Sequence, residues 1–206
     1  MGRQQIVHVV DDDEGIREGL ALLLETITQP CRLYENAPDF LKSYDPEIGG
    51  CLILDIRMPH MTGLDLQNIL NERGSTLPII LITGHGDIPM AVEAMRHGAL
   101  DFIRKPFREQ DLLDRINEAL EIDAGKRKER SNYNAIRDKL DLLSKRERQV
   151  FEHVAAGDMN KSIAYDLNIS ERTVEVHRSQ VMRKLEVRTL AQLVRIKIEA
   201  ELYESG

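Results

Sequence analysis

Residues 51–66 read CLILDIRMPHMTGLDL. The apolar residues 51–54 and Ile56 surround Asp55, and such a run is typical of a strand that is buried on both faces of a parallel sheet. A carboxylate inside this run is unusual, because burying an unpaired charge costs free energy. Asp55 therefore needs a chemical role or a charged partner, and the rest of the chain indicates which.

The first 122 residues alternate short apolar runs with amphipathic segments. Strands are predicted at 6–10, 31–34, 51–55, 78–82 and 101–103, and helices at 14–27, 37–44, 64–72, 87–97 and 109–122. Five such units predict a (βα)5 doubly wound parallel sheet, a flavodoxin-like α/β fold. Ligands of these folds bind at the carboxyl ends of the strands, where Asp11, Asp55 and Thr83 fall.

Three carboxylates, those of Asp11, Asp12 and Asp55, are expected at this edge of the sheet. Carboxylates this close repel one another and raise one another's pKa, and a bound divalent cation offsets this repulsion. Carboxylate oxygens with open coordination positions suit Mg²⁺. A carboxylate can also act as a nucleophile that forms an aspartyl phosphate. Lys105 and Thr83, after strands five and four, would supply a cation and a hydroxyl for the phosphate oxygens.

The charge balance changes near residue 122. The net charge of the chain is −7, but residues 1–122 hold 11 Lys and Arg against 21 Asp and Glu, whereas residues 123–206 hold 17 against 14. This asymmetry indicates two domains with different partners, and a polyanion is a candidate partner of the second. The only cysteines, Cys31 and Cys51, lack metal-ligand spacing and predict no zinc site.

Residues 123–140 are a strongly charged connector between these domains. Tyr133, Ile136 and Leu140 recur at helical spacing, which predicts a helical linker. The predicted domains are therefore 1–122, a linker over 123–140, and an all-helical domain over 141–206.

The helical domain carries clear helix start and stop signals. They are a capping box at Ser144 and Glu147, a C-terminal Gly157, a turn at Asn168, and an N-cap at Ser170. Ser170 opens a helix that is predicted from Glu171 to about residue 185.

This helix is predicted to have two faces. Val174, Val181 and Leu185 form a core-facing stripe, and the opposite stripe holds Arg172, Val176, Ser179 and Arg183. Arginines beside small apolar groups suit the major groove of DNA. A solvated charged face would look similar, so this helix alone leaves both interpretations open.

Three segments of the first domain resemble a response-regulator receiver domain over about residues 4–122: VVDDDEGIR, LILDIRMPHMTGLDL and IILITGHGDIPMAVEAMRHGALDFIRKPF. The resemblance implies that a sensor histidine kinase phosphorylates Asp55. It implies a Mg²⁺ site made of Asp11, Asp12, Asp55 and the backbone carbonyl of Arg57.

The same resemblance assigns phosphate sensing and switching to Thr83, Lys105 and Phe102, and a cis peptide to Lys105–Pro106. His85 and Arg57 occupy positions that vary in the family and border the path of the attacking water.

The second domain resembles the LuxR-type helix-turn-helix domain of FixJ/NarL regulators over about residues 141–200, through SKRERQV, NKSIAYDLNISERTVEVHRSQVMRKL and LAQLVRI. The resemblance implies that Glu175, Val176 and Ser179 face DNA. Together with the outer stripe and Thr173, the predicted DNA-binding set is Arg172, Thr173, Glu175, Val176, Ser179 and Arg183. Glu175 and Ser179 stand where the NarL branch has lysine, so contacts cannot be copied from that branch.

The family resemblance also implies partners. They are promoter DNA and a second copy of the chain, in a homodimer that forms on phosphorylation, with RNA polymerase as a further candidate. The chain looks similar to a regulator of styrene catabolism, which implies an aromatic catabolic operon as the target.

Two alternatives differ from this interpretation. An aspartate-nucleophile phosphatase of the haloacid-dehalogenase type needs an acid two positions after the nucleophile, and here that residue is Arg57. A regulator whose receiver responds to a ligand or partner without phosphorylation would not need the full acid set with Thr83 and Lys105. We expect no enzymatic activity beyond the receiver's own phosphoryl transfer and dephosphorylation.

The sequence shows no apolar run long enough to span a membrane, and the N-terminus lacks the features of a signal peptide. The expected location is the cytoplasm, with no membrane partner.

Overall fold

The computed structural model describes residues 5–84 and 88–204, which form two compact units that divide between Arg127 and Lys128. The first unit has the predicted (βα)5 order, with five parallel strands in the spatial order β2-β1-β3-β4-β5. The strands are β1 (Ile6–Val10), β2 (Cys31–Tyr34), β3 (Gly50–Asp55), β4 (Ile79–Thr83) and β5 (Asp101–Arg104). The helices are α1 (Glu14–Thr26), α2 (Ala37–Ser43), α3 (Gly63–Glu72), α4 (Ile88–Arg96) and α5 (Glu109–Asp141).

Both faces of the sheet are covered, as the continuous apolar runs predict. Alternate strand residues such as Leu52 and Leu54 pack with α2, α3 and α4, while Cys51 and Ile53 pack with α1 and α5. The central strands β1, β3 and β4 are therefore buried on both faces, and their carboxyl ends lie side by side.

Some boundaries differ from the sequence prediction. Strand β4 runs from Ile79 to Thr83 rather than from 78 to 82, because Pro78 has no N–H for the ladder and Thr83 still pairs with Arg104. Strand β3 begins one residue early, at Gly50, and β5 ends one residue late, at Arg104.

Helix α5 is the largest difference, because it continues without a break through the connector to Asp141. The helix thus spans the residues of the predicted helical linker. The division between compact units falls after Arg127, whereas the sequence placed the domain limit at 122. The limits 1–122, 123–140 and 141–206 stay predictions.

The second unit contains α6 (Lys145–Ala156), α7 (Asn160–Leu167), α8 (Glu171–Lys184) and α9 (Leu190–Glu204). The predicted start and stop signals are confirmed. Ser144 and Glu147 form a capping box, Gly157 and Asn168 end α6 and α7 in the left-handed conformation, and the Ser170 side chain caps α8. The apolar faces of these helices form one core, which includes Val150, Phe151 and Val174.

Across the described residues, no helix combines the length and the apolar character that crossing a bilayer requires.

Candidate functional site

Four strands deliver polar side chains to one edge of the sheet. Asp11 follows β1, Asp55 ends β3, Thr83 ends β4, and Lys105 follows β5. Asp11, Asp55 and Thr83 are buried. The parallel topology thus brings together residues that are up to 94 positions apart in sequence.

Lys105 joins the two buried acids. Its Nζ donates hydrogen bonds of 2.7 Å to Asp11 Oδ2 and of 2.7 Å to Asp55 Oδ1. Its backbone N–H donates to the Thr83 carbonyl at 2.8 Å, which holds the lysine beside the end of β4. The predicted cis peptide between Lys105 and Pro106 is present.

Burial and charge act in opposite directions on these groups. Burial raises the pKa of Asp55 above its usual range, with a smaller contribution from the Asp11 charge, while Lys105 and the Arg57 N–H oppose the rise. Burial is also the largest single effect on the pKa of Lys105 and lowers it, but Asp11 and Asp55 together raise that pKa above its ordinary value. The ammonium therefore stays charged and favours the ionised form of Asp55.

The loop after β3 fixes the second oxygen of Asp55. The Arg57 N–H donates to Asp55 Oδ2 at 2.7 Å. Gly63, the first residue of α3, lies against this strand end: a Cβ there would lie 2.4 Å from the Asp55 carbonyl oxygen. Only glycine allows α3 to begin so close to the site.

Two contributors to the site were missed by the sequence analysis. Gly63 is one, and its signal was its place directly after Thr62, a helix N-cap. Arg17 is the other, since its Nη1 donates to the Asp11 carbonyl at 2.8 Å. No sequence pattern identifies that contact, although Arg17 lies on the first turns of the helix that follows the acids.

Asp12 lies beside the site but is exposed. Within residues 5–84 and 88–204, no three Asp, Glu, His or Cys side chains converge as a metal-binding group. The structure thus brings Asp11 and Asp55 together and leaves Asp12 outside that pair. The available donors are all oxygens, which fit Mg²⁺ in their chemistry, and Lys105 provides the countercharge in this arrangement.

The sensing residues occupy two environments. The Thr83 hydroxyl is buried and donates to the Gly84 carbonyl at 3.1 Å. Phe102, on β5, is 37% exposed. His85 lies outside the described residues.

Helix α8 exposes five of the six predicted DNA-binding residues. Arg172, Glu175, Val176, Ser179 and Arg183 are exposed, whereas Val174, Val181 and Leu185 are buried. Thr173 is half-buried, and its hydroxyl bonds with Ser170 at 2.8 Å.

An ion pair fixes the end of α8 within its own unit. Lys184 Nζ donates to Glu147 Oε2 at 2.6 Å and to the Leu142 carbonyl at 3.0 Å. The hydrogen bond from Lys184, followed by one from the Ser144 backbone, lowers the pKa of Glu147 to about 2. The capping box of α6 and the C-terminal end of α8 are therefore held together by one carboxylate.

Comparison with known proteins identifies both units. Residues 7–117 match the response regulator receiver domain, and residues 141–197 match the luxR family of bacterial regulatory proteins. The chain is 44% identical to the response regulator protein TodT of Pseudomonas putida over 94% of this chain and 86% of TodT. It is 46% identical to the transcriptional regulatory protein FixJ of Rhizobium meliloti over 93% of this chain and 94% of FixJ.

A solved structure of the response regulator StyR is similar at a TM-score of 0.90 and 44% identity, covering 95% of this chain and 99% of StyR. The chain therefore belongs to the response regulators in which a receiver domain precedes a DNA-binding domain of the luxR family.

Proposed function

We propose that this response regulator is phosphorylated on Asp55 by a sensor histidine kinase and then binds promoter DNA through α8. The observation that carries the proposal is the buried Asp55 carboxylate at the end of β3, which shares the Lys105 ammonium with Asp11 at 2.7 Å on each side. A strand end with a half-buried lysine held against the carboxylate is the environment in which an aspartate nucleophile can act.

The proposed transfer breaks the phosphorus–nitrogen bond of a phosphohistidine and forms a bond between phosphorus and an Asp55 carboxylate oxygen. The histidine departs with the electron pair of the broken bond. Lys105 would move toward the phosphoryl oxygens, because phosphorylated Asp55 is no longer a charged carboxylate and the negative charge then lies on the three terminal oxygens of the phosphoryl group. Thr83, which now donates to the Gly84 carbonyl, would donate to a phosphoryl oxygen instead.

Asp11, Asp12, Asp55 and the Arg57 backbone carbonyl would hold Mg²⁺. The all-oxygen donor set supports this assignment. When bound, the ion supplies positive charge that offsets the charge of the phosphoryl group. Arg17 would help to position Asp11 for this ion, because its Nη1 donates to the Asp11 backbone carbonyl at 2.8 Å.

We further propose that phosphorylation produces a homodimer in which Phe102 acts as the switch aromatic, and that the dimer regulates transcription by contacting RNA polymerase. The resemblance of the sequence to a regulator of styrene catabolism supports an aromatic catabolic operon, that of styrene, as the target. A DNA target also supports a cytoplasmic location.

The test is phosphoryl labelling of the full chain by radioactive acetyl phosphate with Mg²⁺ present. Asp55→Asn is expected to abolish the label, because the amide nitrogen leaves no carboxylate nucleophile. Asp114→Asn, the same change at an exposed residue of α5, should label like the wild type. Wild-type labelling of Asp55→Asn would contradict the site, and no labelling of any form would favour a receiver that works without phosphorylation.

A further inference from the structure

Asp123 is a fully buried acid that the proposed phosphoryl transfer does not use. It lies on α5, in the charged stretch that follows the fifth amphipathic segment. Its Oδ2 accepts hydrogen bonds from the Gly50 N–H at 2.8 Å and from Gln5 Nε2 at 3.1 Å. Arg127 Nε, one helical turn later, donates to Asp123 Oδ1 at 2.9 Å.

Arg127 extends this network to the loop before β3. Its two terminal nitrogens donate to three consecutive backbone carbonyls, those of Pro46, Glu47 and Ile48, at 2.9, 3.1 and 2.8 Å. The planar guanidinium is suited to such a fan of acceptors, because its donors diverge in one rigid plane. Asp123 supplies the countercharge, so neither ion is buried without a partner.

Two adjacent glycines allow close packing at the amino end of β3, and the first of them borders the pair. A Cβ on Gly49 would lie 2.6 Å from Asp123 Oδ2 and 2.9 Å from Arg127 Nε. Gly50 has a φ of +150°, and a Cβ there would lie 1.7 Å from the Ile6 carbonyl oxygen. Gly49 is thus explained by the close approach of α5, and Gly50 by the close approach of the Ile6 backbone of β1.

The location of this network indicates its role. It lies at the amino end of β3, whereas Asp55 is the last residue of the same strand. The first compact unit ends after Arg127, yet α5 continues to Asp141. The pair therefore attaches the last turn of α5 that belongs to the receiver.

We propose that Asp123 and Arg127 are positioning residues that anchor the base of the connector helix to the receiver, and that phosphorylation of Asp55 stimulates DNA binding only when this anchor is intact. The second part rests on the proposed function. A connector whose base can fray from the receiver cannot transmit a change in the receiver, because the helix would absorb it by local opening.

The experiment compares full-length Arg127→Gln and Arg127→Lys with Lys128→Gln, a control that removes a charge from the neighbouring exposed position. Arg127→Lys keeps a cation for Asp123 but loses the planar fan of donors, so it tests the anchor if Arg127→Gln does not fold. The measurements are hydrogen exchange of the Gly50 amide and of residues 121–127, labelling of Asp55, and the stimulation of DNA binding by acetyl phosphate.

Both Arg127 variants are expected to speed exchange of these amides by about tenfold, since hydrogen bonds to charged groups contribute strongly to local closure. Labelling should be unchanged, and stimulation of DNA binding should fall by about fivefold or more, while Lys128→Gln matches the wild type.

Faster exchange with full stimulation would show a purely structural pair and overturn the role in transmission. Unchanged exchange in both variants would overturn the anchor itself. The exchange measurement needs no phosphorylation, so absence of labelling in the wild type would count against the proposed function and not against the anchor.

Discussion

The two oxygens of Asp55 have different partners, and this asymmetry shapes the chemistry of the receiver. Oδ1 accepts from the side-chain ammonium of Lys105, and Oδ2 accepts from the backbone N–H of Arg57. Burial alone would favour the neutral acid, which is a poor nucleophile. Lys105 counteracts burial and is therefore needed before any phosphoryl group arrives.

A Lys105→Met variant tests whether Lys105 keeps the Asp55 carboxyl ionised, because the pKa of Asp55 can be measured directly. Removing the ammonium deletes the interaction that lowers the pKa of Asp55, while burial and Asp11 continue to raise it. We expect the pKa of Asp55 to move upward, as measured by carbon NMR of the carboxyl groups in buffer free of Mg²⁺. Lys42→Met, at an exposed lysine, is the control. An unmoved or lower Asp55 pKa in Lys105→Met would contradict the electrostatic role of Lys105.

At the scale of the element, α8 is defined by the contrast between two valines. Val176 is 53% exposed on the outer face, and Val181 is 1% exposed within the core of the second unit. Both residues have the same side chain and lie on the same helix. The same substitution at the two positions therefore compares the exposed face of α8 with its buried face.

Val176→Glu and Val181→Glu are expected to fail in different ways. Val176→Glu should keep the fold, as judged by circular dichroism, but weaken binding to a selected promoter fragment by at least about tenfold, because it places a negative charge against DNA. Val181→Glu should unfold the second unit, because it buries an unpaired charge. Wild-type affinity of a folded Val176→Glu variant would show that α8 does not present this face to DNA.

Glu147 makes the stability of the second unit depend on pH. Its pKa in the folded protein is about 2, below the ordinary 4.5, so its stabilisation is fully present above pH 4.5 and is lost as the pH falls toward 2. Glu147→Gln should therefore lower the midpoint of thermal unfolding most above pH 4.5. The difference in unfolding midpoint between this variant and the wild type should shrink as the pH is lowered.

The control is Glu152→Gln, which changes an exposed glutamate of the same helix. If the difference in unfolding midpoint between Glu147→Gln and the wild type stayed constant with pH, the pair with Lys184 would not make stability depend on the protonation of Glu147.

Sequence reasoning succeeded where periodicity and topology act together. The strand ends at Asp11, Asp55 and Lys105 follow from apolar runs and from the rule that parallel strands share one carboxyl edge. The burial of Asp123 could not be predicted, because it depends on the Gly50 amide, 73 residues away. Local sequence shows only an acid in a charged run there. The Arg17 contact with Asp11 spans only six positions, and it was missed because no sequence pattern marks a side chain that donates to a nearby backbone carbonyl.

At the scale of the whole molecule, the receiver is acidic and the remainder is weakly basic, with 17 Lys and Arg against 14 Asp and Glu in residues 123–206. One helix-turn-helix unit with so little excess charge makes few phosphate contacts, so a monomer should bind DNA weakly and with a shallow salt dependence. Two units held together gain affinity from effective concentration, by about 10²-fold or more.

The most direct test of the account is therefore the affinity of the full chain for a selected promoter fragment, measured by fluorescence anisotropy with and without acetyl phosphate and Mg²⁺. The wild type is expected to bind about 10²-fold more tightly after phosphorylation and with a steeper salt dependence, while Asp55→Asn keeps the weak affinity under both conditions. Equal affinity of the wild type before and after phosphorylation, or stimulation of Asp55→Asn to the same extent, would contradict the claim that Asp55 controls DNA binding.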